Sequence, residues 1–279
     1  MTARTAKLDD MNNEHTPTAT AEATETKGFV AKLLADRHSI PLSIALHLVP
    51  GALIVAVYAF AAAPLTRAMG VPIFAAWAIA LAVVLFPLMY GLMWLGKQRT
   101  GSYNLRSVLG YMGKPFSRGK ITWIGIGFML YMTVVSQALL PLDTLVYDTF
   151  FTWVQFEGSG SSGTTYLDGY SKSAVLVTIA ICGPFTGFIL PLIEEYYFRG
   201  LLLPRLPQLG RWAPLFNTAL FSVYHFWAPW TVLSKLAFLL PGIWFVWGKK
   251  DIRASIWMHP GSALLATVVG ITAYSLGLM

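Results

Sequence analysis

The chain has little charge and almost no cysteine. Only 12% of its 279 residues are charged and 56% are hydrophobic, whereas a soluble domain carries about a quarter charged residues. This composition excludes a water-soluble enzyme. Cysteine occurs once, as Cys182 inside an apolar run, which excludes an intrachain disulfide and predicts a packing role for the thiol.

Two common hydrolase signatures are also missing. The sequence contains neither the H-E-x-x-H motif of soluble zinc proteases nor the G-x-S-x-G motif of serine hydrolases. Acidic residues number 13 against 20 Lys and Arg, which gives a net charge of +7. Membrane orientation and attraction to anionic lipid headgroups account for this charge, so no nucleic-acid partner is predicted.

Long apolar runs are what the chain does have. A run of about 20 apolar residues crosses a hydrocarbon core of roughly 30 Å as a helix. The fold class is therefore predicted to be all-α, a polytopic integral membrane bundle of about seven transmembrane helices. Their predicted limits are 41–63, 71–95, 121–142, 173–203, 213–229, 231–247 and 254–276.

The remaining segments divide the chain further. Residues 1–27 are polar and carry no signal-peptide core, so they are predicted to be a disordered tail. Residues 28–279 are predicted to form the membrane domain, with accessory spans in 28–172 and the functional core in 173–279. The Gly- and Ser-rich stretch at 158–163 predicts a flexible loop.

Positive residues predict the orientation, because they remain on the cytoplasmic side. One set of span flanks holds fifteen Lys and Arg residues, whereas the opposite flanks hold three, Arg67, Lys172 and Lys235. The N-terminus is therefore predicted to be cytoplasmic and the C-terminus external.

Charged groups inside a span are costly and usually face an interior cavity. Most of this chain avoids that cost. The exception is residues 189–203, ILPLIEEYYFRGLLL, which contain Glu194, Glu195 and Arg199. Glu195 and Arg199, four residues apart, share a helix face and are predicted to form a structural ion pair, while Glu194 is rotated by about 100°. Glu194 then remains as an unpaired carboxylate suited to act as a general base. Pro184 and Pro191 are expected to kink this helix.

Two histidines lie in later spans. His225 follows Phe221 by four residues, and His259 immediately precedes Pro260. Since a residue before proline is disfavoured in the α region, His259 is expected at a helix start or break beside a cavity. His47 has no carboxylate or helix break nearby and is predicted to be structural. Four aromatic residues are predicted to be interfacial anchors or packing residues: Tyr196, Tyr197, Trp227 and Trp230.

Glu194, His225 and His259 could support two kinds of chemistry. They match the ligand set of a catalytic zinc site with an open position for water. They also match a metal-free site in which Glu194 and one histidine activate water while the other stabilises the oxyanion. The spacing of these residues does not decide between the zinc site and the metal-free site, so no cofactor is assigned and Zn²⁺ is kept as an alternative.

The three motifs in order resemble the CPBP family of intramembrane proteases, also called the CAAX prenyl protease or Abi family. The resemblance rests on the Glu194 pair with Arg199, on Phe221 with His225, and on His259, and it covers residues 173–276. It implies that Glu194 and His225 activate water and that His259 binds the oxyanion or a metal. It implies that Glu195, within the catalytic group, shapes the site and that Arg199 and Phe221 support it.

One position departs from the family pattern. The family usually carries Asn or Asp four residues after the last histidine, and here that residue is Ala263. Either Ser262 or Asn217 supplies another donor, or activity is weakened. The expected function is an intramembrane endopeptidase of the bacterial cytoplasmic membrane, acting on a membrane-associated or lipidated peptide or protein. The alternatives are a non-catalytic immunity or scaffold protein and, less favoured, a small proton-coupled transporter.

Overall fold

The computed structural model describes residues 28–157 and 169–278. The polar segment 1–27 and the Gly- and Ser-rich stretch at 158–163, for which disorder and flexibility are predicted, lie outside the described residues. The boundary between accessory spans and core at residues 172 and 173 stays a prediction.

The described residues form a helical bundle. In chain order the helices are α1 (Phe29–Leu34), α2 (Ile40–Ala68), α3 (Phe74–Thr100), α4 (Arg118–Ala138), α5 (Leu140–Val146), α6 (Lys172–Arg205), α7 (Ala213–Tyr224), α8 (Pro229–Lys249) and α9 (Arg253–Leu276). The prediction of an all-α polytopic membrane protein is confirmed.

Six of the described helices, α2, α3, α4, α6, α8 and α9, are long and apolar enough to cross a membrane. The predicted number is about seven, and the run at 213–229 is the predicted span that is not among these six helices. The run at 213–229 contains only the 12-residue helix α7, which is about 18 Å long and too short to span the hydrocarbon core. After α7 the backbone leaves the helical conformation at His225, a change that hydropathy does not detect.

Serine caps begin three of the spanning helices. The hydroxyls of Ser39, Ser117 and Ser171 accept hydrogen bonds from the backbone N–H groups of Leu42, Lys120 and Ala174. Such caps satisfy backbone donors that the helix itself leaves without partners. Each cap therefore fixes where a span begins, and the apolar run decides how far it continues.

The two sets of flanking segments gather at opposite ends of the bundle. At the end rich in Lys and Arg, His38 donates its backbone N–H to Arg205, and Ile252 donates to Tyr111. At the other end Tyr58 donates to the backbone oxygen of Glu157. The charge asymmetry used to predict orientation is thus an asymmetry between the two ends of the fold.

Close packing brings α6 against α9. A Cβ added at Gly183 would lie 2.8 Å from Cγ2 of Thr267, and one added at Gly187 would lie 2.6 Å from its Oγ1. Small residues four apart let membrane helices approach closely. This contact holds α6, which carries both glutamates, beside α9, which carries His259.

Candidate active site

The two glutamates lie where α6 changes its winding. An α-helical stretch, Leu190–Glu194, ends at Glu194, and a π-helical stretch, Glu195–Leu202, begins at the next residue. Another π-helical stretch, Phe185–Ile189, follows Pro184. The disturbance expected from Pro184 and Pro191 thus takes the form of widened helical turns, which often occur at functional sites.

His259 joins both glutamates. Its Nδ1 is 2.9 Å from Glu195 Oε1, and its Nε2 is 3.8 Å from Glu194 Oε2. The sequence placed the two carboxylates on different faces of the helix, and the structure brings both to opposite sides of one imidazole. The side chain of His259 is 12% exposed and that of Glu194 is 7% exposed, whereas that of Glu195 is fully enclosed. Glu194 and His259 therefore face the accessible side of the cluster.

Glu195 and Arg199 form the predicted ion pair. Arg199 Nη1 lies 3.3 Å from Glu195 Oε1, and both side chains are fully enclosed. The guanidinium also covers the ring of Phe221 at 3.8 Å from its centroid, a favourable cation–π contact. Within the described part of the chain the guanidinium nitrogens have no hydrogen-bond acceptor. The guanidinium thus interacts with carboxylate charge and with aromatic faces, at the shortest distances those of Glu195 and Phe221.

Phe221 packs between the charged and imidazole groups. Its ring centroid lies 4.9 Å from that of His225 and 5.6 Å from that of His259. The side chain is itself buried. Phe221 therefore separates two histidines that come from different helices, and its supporting role stays a prediction.

His225 lies at the end of α7 rather than in the middle of a span. Its Nδ1 is 2.9 Å from the carbonyl oxygen of Phe221. A carbonyl oxygen can only accept, so Nδ1 carries the hydrogen and Nε2 has the lone pair. The ring also contacts Trp227, with 4.9 Å between centroids. His225 is thus held in one tautomer that can accept a proton at Nε2.

The prediction that His259 lies at a helix start or break is wrong. His259 and Pro260 both lie inside α9, which runs without interruption from Arg253 to Leu276. The neighbouring residues explain why the helix persists. A Cβ at Gly242 would collide with the side chain of Met258, and one at Gly125 would collide with that of Trp257. This packing of α9 against α8 and α4 outweighs the local preference of a residue before proline.

Two residues at the site were missed by sequence reasoning. Tyr224 Oη donates a 2.9 Å hydrogen bond to Glu194 Oε1, so Glu194 is not the unpaired carboxylate that the sequence predicted. The position of Tyr224 beside His225 in the sequence was the available signal. Lys235 lies within electrostatic range of Glu194 and His225. The sequence pattern predicts Lys235 only as one of the three basic residues on the less positive span flanks.

Neither residue suggested to compensate for Ala263 points into the cluster. The hydroxyl of Ser262 donates to the carbonyl oxygen of His259 at 3.0 Å. The side-chain nitrogen of Asn217 lies 2.9 Å from His47 Nε2 and donates to the backbone of Phe198. His47 and Asn217 thus form a separate buried network, consistent with a structural role for His47.

The four aromatic residues predicted to anchor or pack have varied surroundings. Tyr197 donates to the carbonyl oxygen of Leu46 at 2.7 Å. Trp230 is buried with its centroid 4.8 Å from that of Tyr147. Trp227 packs on His225, and Tyr196 lines a cavity at the basic end of the bundle.

The side chains do not fit a zinc ion as they are arranged. In residues 28–157 and 169–278 no three His, Cys, Asp or Glu side chains are grouped so that they could hold a metal. The Nδ1 atoms of His225 and His259 contact Phe221 and Glu195, and Glu194 Oε1 accepts from Tyr224, so a metal could be bound only by the two Nε2 atoms and Glu194 Oε2. Zinc therefore stays a prediction for metal analysis.

The fold and this cluster define a polytopic helical membrane protein with buried carboxylates and partly buried histidines at one site. Residues 176–265, about a third of the chain, match the family model described as type II CAAX prenyl endopeptidase Rce1-like. The matched segment contains Glu194, Glu195, Arg199, His225 and His259, and the match confirms the resemblance that the three motifs predict. No curated protein and no solved structure matches the chain.

Proposed function

We propose that the protein is an intramembrane endopeptidase in which Glu194 and His225 activate water and His259 stabilises the oxyanion. The family match supports a CAAX-type endopeptidase in general. The observation that carries the residue assignment is the 3.8 Å separation of Glu194 Oε2 from His259 Nε2 on the accessible side of the cluster. One oxygen atom about 2.8 Å from each can occupy the position between them.

The proposed reaction uses these groups as follows. A water oxygen attacks the peptide carbonyl carbon while one of its protons passes to Glu194, with His225 Nε2 accepting a hydrogen bond from the water. His259, with a hydrogen on each ring nitrogen, donates one to Glu195 and directs the other at the oxyanion. The C–N bond then breaks, and the proton held by Glu194 passes to the leaving amine.

The proposed substrate is a membrane-associated peptide, for which a lipidated C-terminal peptide is the first to test. Glu194, Glu195 and His259 lie in helices that are long and apolar enough to cross a membrane, so the scissile bond would approach them from the bilayer or its surface. A bacterial cytoplasmic membrane and a cytoplasmic N-terminus remain part of this proposal.

The decisive variant is Glu194→Gln, which keeps the side-chain volume and removes the base. We expect purified protein in proteoliposomes to lose cleavage of a prenylated peptide by at least about 100-fold, with unchanged circular dichroism. Glu157→Gln is the matched control, because Glu157 is half-exposed and pairs with Arg67 away from the site. Full activity of Glu194→Gln would contradict the mechanism.

The zinc alternative has its own measurement. If the proposed chemistry is right, purified active protein contains no stoichiometric zinc and keeps its activity after treatment with a chelator. Stoichiometric zinc that restores a chelated, inactive protein would instead assign Glu194, His225 and His259 as ligands.

A further inference from the structure

Two adjoining cavities open at the end of the bundle that is rich in Lys and Arg. Their volumes are about 330 and 530 Å³, and Lys114, Arg253 and Ile256 line both. Arg106 lines the first and Arg118 lines the second. Four basic side chains thus surround one recess, which we call the basic recess.

The charge of the basic recess is largely uncompensated. Its acidic lining residue, Asp251, is bound by Arg253 through both carboxylate oxygens, at 2.9 and 2.7 Å. Arg106, Lys114 and Arg118 are exposed and form no ion pair with any carboxylate in the described part of the chain. Three positive side chains therefore remain to bind an anion.

An apolar track continues from the basic recess toward the middle of the membrane. Ser117, the N-cap of α4, and the buried Ile121 line the basic recess, and Ile124, Phe128 and Tyr131 line a third cavity of about 390 Å³. Their spacings of four, three, four and three residues place all five on one face of the helix. This face extends for about 20 Å.

Aromatic packing joins the two parts of the track. Phe245 of α8 stacks on Phe116, with 5.9 Å between centroids, and contacts Phe128 at 5.4 Å. Phe116 lines the basic recess and Phe128 lines the third cavity. One side of the protein thus presents positive charge at the membrane surface and an apolar track below it.

We propose that this side binds one anionic glycerophospholipid, with its phosphate in the basic recess and an acyl chain along α4. Basic pockets between membrane helices favour anionic headgroups, and Lys and Arg near the surface add to that attraction. The apolar track distinguishes a lipid from a free phosphate ion, which has no group to occupy it. The proposal is independent of the peptidase activity.

The test uses the full chain in an uncharged detergent. Phosphatidylglycerol, phosphatidylcholine with the same acyl chains and inorganic phosphate are added separately, and native mass spectrometry counts the bound molecules. We expect one phosphatidylglycerol to bind about tenfold more tightly than phosphatidylcholine, and inorganic phosphate not to displace it.

Two kinds of variant separate the headgroup from the acyl chain. Lys114→Gln with Arg118→Gln should abolish the preference for phosphatidylglycerol, whereas Lys249→Gln with Arg211→Gln removes the same charge at the same end and should preserve it. Gly127 lines the third cavity, and no atom lies within 4 Å of a Cβ added there. Gly127→Leu should therefore fill the track and weaken lipid binding without unfolding α4.

Three outcomes would overturn the proposal. They are equal binding of the two lipids, equal losses in the two double variants, and displacement of phosphatidylglycerol by inorganic phosphate with no effect of Gly127→Leu. The last would indicate a simple anion site.

Discussion

The imidazole of His259 lies between the carboxylates of Glu194 and Glu195, with Nε2 3.8 Å from the first and Nδ1 2.9 Å from the second. Two residues adjacent in the chain thus reach opposite nitrogens of one ring. Glu195, which is fully enclosed, can hold the ring in place, while Glu194, at 7% exposure, is the carboxylate that we propose acts on the substrate. We therefore predict different effects for substitutions of Glu194 and of Glu195.

Glu195→Gln should impair positioning of His259 rather than substrate binding. The neutral amide removes the negative charge that stabilises a ring with a hydrogen on each nitrogen and can present its own N–H to Nδ1, so we expect kcat to fall by about 10- to 100-fold, with little change in KM. Steady-state kinetics on a lipidated peptide, together with the pH profile of kcat, provide the measurement. An unchanged kcat and pH profile would show that Glu195 serves the fold alone.

Tyr224→Phe removes the hydrogen bond to Glu194 and little else. A buried acceptor that loses its donor costs about 1–3 kcal/mol, so we expect about tenfold slower cleavage and a lower melting temperature. Tyr90→Phe is the matched control, because the Tyr90 hydroxyl is exposed and reaches only Tyr103, at 3.5 Å. Equal behaviour of the two variants would argue against a role for Tyr224.

Gly51→Ala should disturb the site from α2. A Cβ at Gly51 would collide with the carbonyl oxygen of Tyr224 and lie 2.9 Å from its ring atom Cδ2, so Tyr224 must move. We expect a loss of about 1–3 kcal/mol in stability and a reduced cleavage rate. Gly91→Ala, in α3, meets no atom within 4 Å and should leave both thermal stability and activity intact. A fully active Gly51→Ala protein would show that Tyr224 tolerates displacement.

Arg199→Met should unfold or strongly destabilise the protein. Removing one partner of a buried pair leaves an uncompensated charge and costs about 3–5 kcal/mol, whereas Arg67→Gln should cost less than about 1 kcal/mol because Arg67 and Glu157 are half-exposed. Melting temperatures in detergent compare the two. Adding Glu195→Gln to Arg199→Met should recover part of the loss, and the absence of any recovery would show that the two side chains do not interact.

Much of the fold was predictable because membrane insertion imposes simple rules. The predicted limits 173–203 and 254–276 differ by at most two residues from Lys172–Arg205 and Arg253–Leu276. An apolar run must be long enough to cross the hydrocarbon core, so the length of a spanning helix can be predicted from the sequence. The run at 213–229 was predicted to be one continuous helix, and α7 ends before the run does. Hydropathy measures polarity and does not detect where the backbone leaves the helix.

The site was predictable in its members but not in its contacts. Charged residues and histidines inside apolar runs stand out because lipid makes them costly, and this drew attention to Glu194 and His259. Tyr224 did not stand out, since a tyrosine in a membrane helix is usually a packing or interfacial residue. Only its 2.9 Å contact with Glu194 distinguishes it.

The sequence by itself determined that this chain is a helical membrane protein with a charge asymmetry between its two sets of span flanks. It also identified Glu194, Glu195, Arg199, His225 and His259 as candidate site residues, because ionisable residues inside apolar runs can be recognised from local order alone. The tertiary structure decided that Glu194 and Glu195 meet His259 from opposite sides. That arrangement depends on close approach of α6 and α9 at Gly183 and Gly187, and contacts between helices distant in the chain leave no periodic signal in the sequence.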